Sequence, residues 1–176
     1  MVNDTCLESA CSEVGQFSDE KLANEFDRFF RSQPPLCEFI VEVTQESGQQ
    51  IQELALFLSY IVFKAVEASI DTSPQTVQPV QIEAAYRQTE LWMTRLSESE
   101  GAELQKSIAQ SLQQDTEPYL LQYVISELND PMEDGASLDD EAKGEVFFVL
   151  KTVIASLCDD NGGAGLDARP SEPIQS

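Results

Sequence analysis

Histidine is missing altogether from the 176-residue chain. That absence removes the commonest general base, the commonest zinc ligand and every His-dependent nucleophilic triad. Bases of any kind are scarce: ten Lys and Arg face 32 Asp and Glu, a formal charge of −22. A duplex-binding surface needs Lys and Arg to displace counterions from phosphates, so direct nucleic-acid binding is excluded on charge. An anionic membrane surface is a poor partner for the same reason. The sequence also has no Gly-x-x-x-x-Gly-Lys, no Gly-x-Gly-x-x-Gly and no Gly-x-Ser-x-Gly. Phosphate-cradling loops and the hydrolase nucleophile elbow are therefore not in view.

Cysteine is sparse and badly spaced for metal. Cys6, Cys11, Cys37 and Cys158 form no Cys-x-x-Cys pair, and without histidine a zinc site would need all four thiolates or carboxylate help. Reduced thiols in a cytoplasmic protein are the expectation, with Cys37 packing as a small hydrophobe. Long apolar runs are missing as well. The longest, Leu54 to Val66, is broken by Ser59, Tyr60 and Lys64 and is too short to span a bilayer. Residues 1–15 carry neither the basic nor the apolar region of a signal peptide.

What is present is a hydrophobic fraction of 41%, too high for a disordered acidic chain. At this length one domain is expected. Residues 1–16, with three acids and little periodicity, read as a loose N-terminus. Ser18 reads as an N-cap, with Asp19 and Glu20 in a first helical turn and Leu22, Phe26, Phe29 and Phe30 on one face. Pro34 and Pro35 end that helix and open another through Leu36, Phe39, Ile40 and Val43. Its stretch Phe39 to Val43 is also strand-like, but no turn signal brackets a strand there. A long helix from about Gln49 to Ser69 is apolar on nearly all sides, the mark of a central element. Pro79 opens a helix through Tyr86, Trp92 and Leu96, with Trp92 read as core. A short helix bearing Leu104, Ile108 and Leu112 follows, then one started by Pro118, an acidic loop from Asn129 to Ala136, and a last helix from about Leu138 to Cys158. Residues 159–176, with three glycines and two prolines, read as a flexible acidic tail.

Two parts of the chain look alike. Gln33-Pro34-Pro35-Leu36 through Val41 can be laid on Glu117-Pro118-Tyr119-Leu120 through Ile125, an offset of 118 − 34 = 84. Farther on, the helix around Tyr60 is paired with that around Phe148, an offset of 88. The fold expected is therefore all-α, a helical bundle or short α-solenoid of six to seven helices. It spans residues 17–158, with two three-helix units over 18–70 and 101–158 linked by helix 79–98.

Three constellations could carry chemistry. Asp130 to Glu141 supplies oxygen ligands at positions 1, 5 and 12 of a twelve-residue calcium loop and glycine at position 6, but Met132 stands where position 3 must ligate. The plainer reading is an acidic connector whose Ser137 or Asp139 caps the next helix. Glu100-x-x-Glu103 with Glu127-x-x-Asp130 superficially resembles the magnesium-binding carboxylate pattern of all-α nucleotide pyrophosphohydrolases, which would imply a divalent-metal-dependent nucleotide-hydrolysing enzyme. Neither pair is well placed to face a bundle core, and no basic cluster would grip phosphates. Finally, residues 127–145 hold eight acids and one base, a local net of −7. A solvated face is the plain reading. The functional one is a docking patch made of Glu133, Asp134, Asp139, Asp140, Glu141 and Glu145 for a basic protein partner, with a nucleic-acid-mimic inhibitor of such a protein as the alternative form. The expectation drawn from all this is a non-catalytic interaction or accessory module, with no cofactor and no catalytic residue assigned.

Overall fold

The computed structural model describes residues 1–70, 72–97, 110, 115–130 and 137–158. Among them it is all-α, a bundle of seven helices with no strand. They are α1 (Asp4–Gly15), α2 (Asp19–Ser32), α3 (Pro34–Val43), α4 (Gln49–Ile70), α5 (Pro79–Ser97), α6 (Pro118–Asn129) and α7 (Asp140–Cys158).

Helix starts follow the chemistry of their first residues. Asn3 accepts a hydrogen bond from the Cys6 backbone N–H at 2.9 Å, and Ser18 accepts one from Lys21 at 3.3 Å, each satisfying an otherwise unpaired first-turn donor. Pro34 and Pro118 occupy first-turn positions of α3 and α6, where a missing N–H costs nothing. Gly48 turns the chain into α4 at φ 90°, a left-handed conformation that favours glycine.

The two longest-buried helices, α4 and α7, pack against each other at the centre. Ile51 and Ala142, each within the first turn of its helix, line one cleft, while Val66 and Leu157 line another at the far end. The central pair therefore runs side by side in the same direction. Polar residues in this core satisfy themselves on their own helices: Ser59 donates to the Ala55 carbonyl, Thr152 to Phe148 and Ser156 to Thr152, at 2.7, 3.0 and 2.8 Å.

Residues 1–16 depart from the expectation of a loose terminus. They form α1, whose Leu7, Ala10 and Val14 are buried chiefly against α4. Its apolar stripe is thin, with only Leu7, Ala10 and Val14 set among serines, cysteines and acids, so its periodicity is weak. Its position is fixed from far along the chain: the Val2 N–H donates to the Glu117 carboxylate at 2.7 Å. Helix α5, expected as a linker, is instead a packing element lying on α7 and touching α3. Its Tyr86 sits between Phe39 and Phe148, at ring separations of 6.2 and 5.0 Å. Trp92 is half-buried, against Phe147 with the Lys151 ammonium 5.0 Å from its ring. The segment from Phe39 to Val43 is helical, as expected. The helix expected around Leu104, Ile108 and Leu112, and the tail 159–176, lie outside the described residues.

Candidate functional site

A parallel pair of helices aligns two macrodipoles, so two sets of unpaired N–H groups gather at one end of the core and favour negative charge there. That end is acid-lined. A cleft of about 720 Å³ opens between the α3–α4 connection and the start of α7. Glu42 and Glu46 contribute from one side, Asp139, Glu141 and Glu145 from the other, over an apolar floor that includes Val43, Ile51 and Ala142. No Lys or Arg is among the residues that line it. Lys143, the one base of segment 127–145, turns away and donates to the Asn129 side chain at 3.3 Å.

Local structure explains each placement. Asp139 caps α7, its carboxylate accepting from the Ala142 N–H at 2.8 Å and its carbonyl from Lys143 at 3.0 Å. The plainer of the two readings of the acidic connector is thereby found. Glu141 and Glu145 lie one turn apart, and Glu145 accepts a hydrogen bond from Ser47, tying the two walls together. Of the six patch residues read from the sequence, Asp139, Glu141 and Glu145 meet in the cleft. Asp140 is exposed in the first turn of α7 without lining it, and Glu133 and Asp134 lie outside the described residues. The structure adds Glu42 and Glu46, which come from nearly a hundred residues upstream and carry no local sequence signal.

The other candidates fare differently. Glu100, Glu103 and the middle of the twelve-residue loop, 131–136, lie outside the described residues. Among the described residues no group of three or more His, Cys, Asp or Glu is placed to hold a metal ion, and no helix is long and apolar enough to cross a membrane. Burial first, and the Asp130 charge second, raise the Glu127 carboxyl above its ordinary value. Asp130 itself ends α6, exposed.

The densest charged network is a brace between α2 and α4. Arg28 donates to Glu67 at 2.8 and 2.9 Å and to Glu25 at 3.0 and 3.2 Å, and the Tyr60 hydroxyl donates to Glu25 at 3.1 Å. Burial works to raise both carboxyls, but the hydrogen bonds from Arg28, with those from Tyr60 to Glu25 and Ser73 to Glu67, hold both below their ordinary range. Each of these groups is engaged with another, so the network reads as a tie between helices. Two thiols are poor nucleophiles: burial pushes Cys37 up to about 12 and also raises Cys11, which is hydrogen-bonded to Tyr123.

An apolar groove of about 570 Å³ lies between α5, α6 and α7, lined by Trp92, Met93, Leu96, Ile125, Leu128 and Phe147. This groove and the acid-lined cleft are opposite in character, and the acid-lined one gathers residues from both halves of the chain. No family model, curated protein or solved structure matches the chain.

Proposed function

We propose that this protein is a non-catalytic docking module whose acid-lined cleft receives a Lys- or Arg-bearing segment of a protein partner. The observation that carries the reading is the convergence of Glu42, Glu46, Asp139, Glu141 and Glu145 on one cleft without a lining base. The apolar floor suits the methylene stem of a long basic side chain, while the rim carboxylates suit its charged head. A field set by a net charge of −22 would steer such a partner in and make association fall with salt. The same reading places the protein in the cytosol, where its cysteines stay as thiols.

The test is fluorescence anisotropy with a labelled peptide of alternating Lys and Gly, run beside a Ser–Gly peptide of equal length. Binding at 50 mM salt should be weakened at least tenfold by Glu42→Gln with Glu46→Gln and Glu141→Gln. A control that neutralises Asp19, Glu20 and Asp27 on α2 should leave it within twofold. Equal losses in the two variants would mean the peptide reads net charge alone, and no binding at low salt would end the proposal.

A further inference from the structure

The two halves of the chain share more than one proline-led helix. Laid on each other, α1 and α5 bury the same positions: Leu7, Ala10 and Val14 against Ile82, Ala85 and Thr89, with the buried Val2 against Val77 just ahead of each helix. For α3 and α6 the buried sets are Leu36, Cys37, Ile40 and Thr44 against Leu120, Leu121, Val124 and Leu128. Gln33 and Glu117, the residues before the prolines, are both buried and share a backbone conformation, φ −130° and ψ 53° against φ −131° and ψ 63°. Helices α4 and α7 begin 140 − 49 = 91 residues apart, and at that spacing every buried residue of α7 falls on a buried residue of α4. Tyr60, opposite Lys151, is the single mismatch. The pairing of Tyr60 with Phe148 at an offset of 88 is thus three residues out of register.

The contacts match as closely as the positions. Gln33 accepts the Val77 N–H at 2.9 Å, and Glu117 accepts the Val2 N–H at 2.7 Å. Each unit's buried side chain therefore clasps the residues leading into the other unit's first helix. Helix α1 packs on α4 and touches α6, while α5 packs on α7 and touches α3. Equivalent residues of α4 and α7 line a common cleft at each end of the pair: Ile51 with Ala142, and Val66 with Leu157.

We infer that the chain is a fused pseudo-dimer: two copies of one helical unit, each beginning with its own first helix (α1 or α5) and exchanging that helix's leading tip with the other copy. The units are not the three-helix blocks 18–70 and 101–158, because the first helix belongs to each of them. Among the described residues the copies also differ in length. Helix α5 has 19 residues where α1 has 12, and residues 130–139 replace the short connection 44–48.

The inference fixes a distance nothing else in the sequence would suggest. Residues 68–75 separate Glu67 from Thr76, the counterparts of Cys158 and Met1. Eight residues should therefore also join Cys158 to Met1. The experiment is a circular permutant that starts at Thr72, replaces 159–176 by an eight-residue Gly/Ser join, and ends at Asp71. A second permutant keeps 159–176 as the join. Both should show the parent's helical circular dichroism and a single urea transition within about 0.5 M of the parent, because a longer flexible join adds little closure entropy. If neither folds, or only the longer join does, the two units are not equivalently arranged and the inference falls. Independently, in the unpermuted chain, Gln33→Leu and Glu117→Leu should each lower the folding equilibrium constant by about tenfold to a hundredfold, the effect of leaving a buried N–H without its acceptor. A loss at only one of the two positions would also overturn it.

Discussion

Helix α1 supplies the sharpest test of the packing described above, because its sequence gives so little warning that it belongs to the core. Leu7 is 7% exposed and faces α4. Leu7→Ala removes about three carbons, roughly 2.4 kcal/mol of transfer free energy at about 0.8 kcal/mol per buried methylene. A residual cavity would add to that, and the position near one end of the bundle allows some collapse, so the expected loss is about 2.5–3 kcal/mol. With a urea slope of about 2 kcal/mol/M, suited to a domain of this size, the unfolding midpoint should fall by roughly 1.3 M. The control is Glu8→Ala, one residue along on the exposed side of the same helix, which should move the midpoint by less than about 0.25 M, in line with surface substitutions. Equilibrium unfolding followed at 222 nm is the assay. If Leu7→Ala and Glu8→Ala were indistinguishable, α1 would be a peripheral helix and the packing argument would be refuted.

Three further outcomes follow from the charges and thiols. Glu25 and Glu67 are held below the ordinary 4.5, so their contribution is present above that pH and is lost as pH falls through the lower folded-state values. A pH series of urea titrations should therefore show a shallower acid decline in Arg28→Gln than in the parent, and parallel declines would contradict the brace. Glu127 has the opposite sign: its carboxyl is raised, so the charged form weighs against the fold as pH rises. Glu127→Gln should raise the unfolding midpoint at pH 7 and leave it unchanged at pH 3, and a loss at pH 7 would show that the carboxylate is doing something favourable. Cys37, with its thiol pushed up to about 12 and 2% exposed, should resist iodoacetamide at pH 8 in the native protein and react once unfolded in urea. Peptide mass spectrometry would read this, and equal native and unfolded labelling would refute its burial.

The helices were legible where sequence periodicity is strong and their ends carry caps. Ser18, Pro34, Pro79 and Pro118 mark starts that the structure keeps. The exceptions have physical causes. In α1 the buried face is built from Leu7, Ala10 and Val14 spaced among polar residues, so its apolar stripe is thin and only contact with α4 makes it a core helix. The repeat was visible at Pro34 and Pro118 because proline is chemically conspicuous, but its register in α4 and α7 is carried by which positions are buried, and Ser59 against Leu150 looks like nothing in sequence. The acidic segment was legible as charge and illegible as a site. Asp139, Glu141 and Glu145 were seen, while Glu42 and Glu46 join them only because two parallel helices bring their first turns together.

The bond from Val2 to Glu117 spans 115 residues, and that separation sets a timetable for synthesis. Helix α1 can meet α4 once Ile70 has cleared the ribosome, but the acceptor for its leading N–H is not made until much later. Glu117 follows Ile70 by 117 − 70 = 47 residues, so at about 5–20 residues per second roughly 2–9 seconds separate the two. During that interval α2, α3 and α4 are available to one another while α1 holds its place through side-chain packing alone. An element near the start of the chain is thus among the last to be locked, and a nascent chain halted before residue 117 should leave Val2 open to exchange and to proteases.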